Sequence, residues 1–378
     1  MSNPERDRYW MLRALAEAAR GRGFVEPNPM VGAVLVRDGR LLAVGYHEVF
    51  GEPHAEVVAL RRAGDAARGA TLYVTLEPCC HQGKTPPCVD AVIAAGVARV
   101  VAAVRDPFPK VAGGGISKLK EAGIAVEVGL ESEASCRLNA PYLKRIVTGK
   151  PYVTAKWAMT LDGKIATAAG QSGWISGPRS RALVHEVRGR MDAIVVGIGT
   201  ALADDPQLTV RPAGARVPIR VVLDSSARLP LDSYLAKTAR EIPVCVVVTE
   251  NAPAARVQRL RDRGCEVLES IAKGGHLPIE PLLDELGRRG MTNILVEGGA
   301  KVLGAFLEVR QIDELDVFIA PVIEGGAGSP SPIAGPGFAT MAEAFRLVRG
   351  EITVVDGDIR FKGMMPWSDE YFTSADSP

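Results

Sequence analysis

The stretch from Pro53 to Cys88 constrains the fold more than any other: PHAE, an apolar run, then EPCCHQGKTPPC. It offers one imidazole, His54, two thiols set apart, Cys79 and Cys88, and a carboxylate, Glu56, beside the imidazole. One nitrogen and two sulfurs are the three protein ligands of a catalytic zinc site, which keeps a fourth position for water. Zinc brings the pKa of that water to about 7, and Glu56 is the group to move its protons. For these side chains to meet, three local elements must converge. They are the first turn of a helix over His54–Ala63, the end of a strand over Thr71–Leu76, and the start of a helix over Cys88–Ala95.

A closed structural site would recruit Cys80 or His81 as a fourth ligand, and a cluster without metal is the blander alternative. Structural sites usually show closely paired cysteines, and a glutamate two residues from the ligand histidine has no purpose there. The order H-x-E, then P-C…C, matches the signature of zinc deaminases. One departure matters: CHQGKTPP separates Cys79 from Cys88, so a loop stiffened by Pro86-Pro87 must carry one thiol to the other. Residues two apart on a helix do not share a face, which suits a ligand and a proton shuttle better than two ligands.

A chain of 378 residues with 47% hydrophobic content has room for two or three domains with real cores. Its net charge of +1, with Lys and Arg spread throughout, argues against nucleic acid as the main partner. MSNPERDRYW has no apolar core of an export signal, and no run approaches the roughly 18 apolar residues that span a bilayer. Six cysteines, half of them clustered, form no disulfide framework. A cytoplasmic protein without membrane partners is expected, with Cys136 an ordinary buried or interface thiol.

Along the first half, Arg8–Arg20 reads as a helix ended by Gly21 and Gly23, and Val31–Val36 as a strand. Asp38-Gly39 is a hairpin turn into Leu41–Gly45. Asn28, between two prolines, is either a turn residue or an amide held rigid to meet the edge of a heterocycle. Further strands at Arg99–Val104 and Ala125–Val128 and a helix at Ser117–Ala122 make this half an α/β sandwich.

A second domain begins near Lys150. Strands are expected at Tyr152–Met159, Ala193–Gly197, Arg220–Leu223, Pro243–Val248 and Asn293–Val296, interleaved with helices, so this half is again α/β. Leu315–Ala320 and Glu351–Asp356 read as antiparallel strands closing the sheet, and SDEYFTSADSP as a polar, frayed tail. Gly197-Ile198-Gly199 lacks the third glycine of a dinucleotide fingerprint, with Leu202 in its place. Gly298-Gly299 before a helix at Ala300 is the better phosphate site, although a bare strand-to-helix turn reads the same.

PNP…GYH…PHAE…TLEPC…GKTPPC in the first half resembles the deaminase half of the bifunctional riboflavin-biosynthesis family of bacteria. AKWAMTLDGKIAT, SGWIS, GIGTALADDPQLTVR, VVLDS and VEGG, in that order, resemble its reductase half. The long GKTPPC loop is the specific feature; a purine or tRNA deaminase would share H-x-E and P-C without it. The resemblance runs from about Tyr9 to about Lys362. It implies a cytidine-deaminase-like α/β/α sandwich over 1–147, a dihydrofolate-reductase-like α/β domain over 148–365, and a tail over 366–378. It implies Zn2+ and NADPH as cofactors and a homo-oligomer. NADPH would meet Ala158, Trp174, Thr200, Asp204, Ser225 and the segment Gly299, Ala300, Lys301, Val302, Leu303, Gly304 and Ala305. The substrate, 2,5-diamino-6-ribosylamino-pyrimidinone 5′-phosphate in the first reaction, would meet Asn28, Lys156, Ser172, Arg188, Leu208, Arg211 and Glu297. Deamination would precede reduction of the ribosyl group to a ribityl chain.

Without that context each residue reads more blandly. A lone arginine is usually a solvated charge, Asp204-Asp205-Pro206 a turn, Trp174 core. A nucleic-acid base deaminase would want a basic stripe and stacking aromatics near the zinc, which residues 1–145 lack. In a zinc-stabilised binding module Glu56 would have no role.

Overall fold

The computed structural model describes residues 4–171, 173–212, 214 and 216–372. The chain divides into two compact units, one of residues 1–149 with 369–378, the other of residues 150–368.

In chain order the first unit has helix α1 (Pro4–Ala18), strands β1 (Gly32–Arg37) and β2 (Arg40–Tyr46), α2 (Ala55–Ala63) and β3 (Thr71–Val74). It continues with α3 (Cys88–Ala94), β4 (Arg99–Ala102), α4 (Gly114–Glu121), β5 (Ala125–Val128), α5 (Ser132–Leu138) and α6 (Ala140–Thr148). Asp38 and Gly39 both take positive φ, the turn that matches strand twist, and Arg37 pairs with Arg40 across it. The sheet order is β2-β1-β3-β4-β5, with β1 antiparallel to both neighbours and β3, β4 and β5 parallel. A Cβ at Gly32 would strike the backbone of α1, and one at Gly45 the backbone of α2. Gly45 pairs with Ala33, the neighbour of Gly32, so these two glycines face opposite sides. Helices α1 and α2 therefore cover opposite faces of the sheet. The start of β1 and the ends of β2, β3 and β4 share one edge, and the loops there carry Asn28, His47, Cys79 and Asp106.

The second unit has β6 (Tyr152–Thr160), α7 (Pro178–Arg188), β7 (Ala193–Gly197), α8 (Ile198–Asp204), β8 (Ile219–Leu223), α9 (Tyr234–Lys237) and β9 (Val244–Thr249). Then come α10 (Ala254–Asp262), β10 (Glu266–Ser270), α11 (Ile279–Arg288), β11 (Asn293–Gly298), α12 (Ala300–Glu308), β12 (Glu314–Ala320), β13 (Val348–Val355) and β14 (Asp358–Met364). The nine-stranded order is β10-β9-β8-β7-β11-β6-β12-β14-β13. Strands here are apolar on both sides: Ala193 and Val195 join one core with α11 and α12, Ile194 and Val196 another with α9 and α10. As expected, β12 and β13 each form an antiparallel pair at this end of the sheet, but both pair with β14, which the sequence reading lacked. On its other side β12 runs parallel to β6, so among the described strands of this sheet β14 alone opposes the rest. The tail reading also fails at its start. Ser368 is fully buried, with its hydroxyl on the Asp313 carbonyl, and Trp367 donates to the Ile312 carbonyl at 2.8 Å. Residues 373–378 lie outside the described residues.

Candidate active sites

His54 is the residue that opens α2, and Cys88 is the first residue of α3. Cys79 lies on the loop beyond β3. His54 Nδ1 sits 3.2 Å from Cys88 Sγ and 3.5 Å from Cys79 Sγ, and all three donor atoms fall within 4.8 Å of one another. The backbone N–H of Cys88, at the positive end of its helix, points at Cys79 Sγ from 3.4 Å. The two thiols share one negative charge. Cys79 is pulled down to about 4, chiefly by the hydrogen bond from Cys88 and further by His54, against its burial. The Cys88 thiol is pushed up by the thiolate it faces and by burial. Such a set takes a soft divalent cation readily, releasing the second proton. Cys80 is turned away, with Sγ 3.6 Å from the Lys110 carbonyl, and His81 packs against Phe108.

Glu56 is 3% exposed and its Oε2 has no hydrogen-bond partner. Burial pushes its carboxyl up to about 7, with His54 opposing and Cys79 adding to the rise. An orphaned carboxylate oxygen beside a converging N/S/S set fits zinc with a water between them. Burial favours the neutral acid and a bound zinc would favour the carboxylate, so the two oppose each other at the group placed to carry protons.

A cavity of about 260 Å³ opens from this centre and is lined by Asn28, His47, Glu56, Cys79, His81, Lys84, Asp106 and Arg145, among others. His47 is buried and held neutral, pushed down to about 4 by burial and then by His54. Its Nδ1–H donates to the Pro53 carbonyl at 3.3 Å, and Nε2 accepts from the Asn28 amide at 3.2 Å. Asn28 is a turn residue, as one reading of its sequence has it, and it also lines the cavity. Its backbone closes a turn onto Val25, and its side-chain amide is fixed beside the cavity. Glu77, next to the ligand loop, accepts backbone N–H bonds from Asp106, Gly113, Gly115 and Ile116 at 2.9–3.2 Å. That carboxylate ties down the loop carrying Asp106, whose acid is pushed up to about 6 by burial and holds Tyr142 at 2.8 Å. Sequence reading missed His47, Glu77, Lys84, Asp106 and Arg145. Lys84, inside the distinctive GKTPPC loop, and His47, inside GYH, lay in segments that already stood out.

In the second unit β11 bulges at Glu297, where Val296 pairs with Val195 and Gly298 with Val196. Glu297 holds Arg188 through two bonds, 2.5 Å to Nε and 2.7 Å to Nη2, and Arg188 also donates to the Thr209 carbonyl. Burial alone would raise the Glu297 acid, but Arg188 and Lys156 outweigh it and hold it at about 2. Burial pulls the Lys156 ammonium below its ordinary range, only partly offset by Glu297. His185 faces the same charges and hydrogen-bonds the Thr209 carbonyl at 3.0 Å.

Gly298 has φ 120°, a conformation reserved for glycine, and the Gly299 N–H donates to Thr200 Oγ1 at 3.0 Å. The starts of α8 and α12 therefore sit together at the carboxyl ends of adjacent parallel strands, the place where open α/β sheets bind nucleotides. This geometry fits a dinucleotide pyrophosphate. Ala158 lies near the end of β6, and Ser225 just past β8.

The other expected contacts differ in what they expose. Leu303 is buried in the core, and a Cβ at Gly304 would run into the Ala334 carbonyl, so only the first turn of α12 is open. The Leu208 side chain is also core, leaving its backbone alone to offer. Asp204 is exposed at the far end of α8, and Asp205 there caps Tyr234 at 2.8 Å, as a turn would. Trp174 is not core: it is 83% exposed under the Arg181 guanidinium, 4.6 Å away. Arg211 is exposed, and Ser172 lies outside the described residues.

The chain is 41% identical over 356 residues to the riboflavin biosynthesis protein RibD of Aquifex aeolicus, covering 94% of this chain and 97% of that protein. This chain belongs to the RibD family. RibD of Escherichia coli is 42% identical over 371 residues, covering 93% and 98%. The family model of the RibD C-terminal domain matches residues 151–359, and that of the cytidine and deoxycytidylate deaminase zinc-binding region matches 4–104. Among solved structures, Acinetobacter baumannii RibD superposes with TM-score 0.82 at 39% identity, covering 96% of this chain and all of the other. The Thermotoga maritima diaminohydroxyphosphoribosylaminopyrimidine deaminase/5-amino-6-(5-phosphoribosylamino)uracil reductase gives TM-score 0.82 at 35% identity, covering 96% and 99%. These relatives are riboflavin biosynthesis proteins, the Thermotoga protein is a deaminase and a reductase in one chain, and this chain likewise joins a zinc-binding deaminase region to a RibD C-terminal domain.

Proposed function

We propose that this RibD-family chain deaminates 2,5-diamino-6-ribosylamino-4(3H)-pyrimidinone 5′-phosphate in its first unit. Its second unit then reduces the product to 5-amino-6-(5-phosphoribitylamino)uracil. The observation that carries the reading is Glu56: buried, with one carboxylate oxygen unpartnered, beside the converging His54, Cys79 and Cys88. Zinc held by those three supplies an acidified, polarised water. Glu56 would pass one proton of that water to the ring nitrogen as the oxygen adds to the amine-bearing carbon, and then the second to the amine, which leaves as ammonia when the C–N bond breaks. Asn28, held by His47, meets the pyrimidine edge, and Lys84 and Arg145 at the cavity suit the phosphate.

In the second unit the Gly298-Gly299 turn and Thr200 would hold NADPH, which would supply a hydride to C1′ of the ring-opened imine. The imine nitrogen needs one proton, and Lys156, made more acidic by burial, provides it. Glu297 and Arg188 orient the substrate around that lysine. We further place the protein in the cytoplasm as a homo-oligomer. Strand β13 ends the sheet with Ile352 67% and Val354 76% exposed, an apolar edge suited to a second copy. Val354→Lys should lower the mass measured by light scattering, and an unchanged mass would remove β13 from the interface.

A metal chelator separates the two activities. It should abolish ammonia release while leaving NADPH oxidation on the deaminated substrate intact. Equal loss of both would contradict the assignment of separate sites.

A further inference from the structure

Beyond the edge of the nucleotide site lies a cleft of about 400 Å³ between the loop after β8 and helix α10, lined by Arg228, Arg256 and Arg259 over Leu229 and Leu260. Arg256 and Arg259 lie three apart on α10, so they share a face, and neither has an acidic partner among the described residues. Arg228 reaches only the buried Asp224, at 3.6 Å. The loop itself is rigid: Asp224 Oδ2 accepts the Leu229 N–H at 2.8 Å, and Ala227 takes φ 53°. Three arginines therefore line one apolar-floored cleft with a single carboxylate, Asp224, in ion-pair reach of one of them, which leaves like-charge repulsion uncompensated. A dianion would relieve that repulsion.

We propose that this cleft reads the 2′-phosphate of NADPH and so sets the preference for NADPH over NADH. The inference rests on NADPH being the cofactor of the second unit. Strands β11, β7, β8 and β9 are successive neighbours in the sheet. From the pyrophosphate position over β11 and β7, one or two strands at about 4.8 Å each lead to the ends of β8 and β9. That is the reach of an adenosine ribose. Ser225, placed against the cofactor by family resemblance, stands three residues before Arg228 on the same loop.

The test is fluorescence titration of the full-length protein with NADPH, NADH, 2′,5′-ADP and ADP, for wild type, Arg228→Ala and Arg256→Ala, with Arg259→Gln as a milder third variant. Wild type should prefer NADPH and 2′,5′-ADP over the forms without the 2′-phosphate. Each alanine variant should lose about tenfold to a hundredfold in affinity for the phosphorylated ligands, with NADH and ADP affinities unchanged, since a charged hydrogen bond contributes about 1.5–3 kcal/mol. A preference kept in all three variants, or equal losses for NADPH and NADH, would overturn the proposal. Failure of wild type to bind NADPH at all would instead overturn the reading on which it rests.

Discussion

Glu297 shows how much one buried charge carries. It balances Arg188 and Lys156, and its acid is held at about 2, well below the ordinary 4.5. The folded value is depressed, so its stabilisation is fully present above pH 4.5 and is lost as pH falls through 2. Glu297→Gln leaves two buried cations without their counter-charge and should cost the second unit about 3–5 kcal/mol, read by urea unfolding at pH 7. A loss below about 1 kcal/mol would mean that solvent screens the cluster. The His54, Cys79 and Cys88 cluster was legible as a candidate because a histidine and three cysteines so close in sequence have few other uses. Glu77 was not. Its four backbone partners lie 29 to 39 residues downstream and nothing in the local sequence announces them. Lys156 and Arg188 likewise gain meaning only once the β11 bulge turns Glu297 toward them.

The element that sets the deaminase site is α2, and its closeness to β2 depends on Gly45. A Cβ there would overlap the Ala55 carbonyl oxygen and come within 2.6 Å of Ala59 N. Gly45→Ala must push α2 outward, and His54 and Glu56 with it. Overpacking of this kind costs about 1–3 kcal/mol. The variant should melt lower and retain less zinc after dialysis, measured by calorimetry and metal analysis; full zinc content with an unchanged Tm would show that α2 is free to shift. Most strands were readable, because β-branched runs bounded by turns leave few alternatives. Partners were not readable: β12 read as a closing antiparallel strand, which it is toward β14, yet its other edge pairs parallel with β6 across more than a hundred residues of chain. Helices α5 and α6, over Ser132–Leu138 and Ala140–Thr148, were passed over because Asn139-Ala140-Pro141 breaks their pattern into two short pieces.

At the scale of the whole molecule, two α/β units each place a site at the carboxyl ends of parallel strands, one around thiolates and one around glycines and buried charge. The resemblance supplies the proposed order, deamination first, and chemistry gives a reason for the second site to discriminate. Deamination exchanges an amine donor for a carbonyl acceptor, so a pocket built for the product leaves a buried polar group unpaired with the diamino compound. That penalty amounts to about a hundredfold in rate. Glu56 is not a zinc ligand, so Glu56→Gln should retain the metal while ammonia release falls by about 10²- to 10⁴-fold. The decisive measurement is NADPH oxidation by this variant, followed at 340 nm. With the diamino substrate the variant should leave NADPH essentially unoxidised, and with the pre-deaminated compound it should run at the wild-type rate. Oxidation of NADPH at the wild-type rate with the diamino substrate would contradict the account.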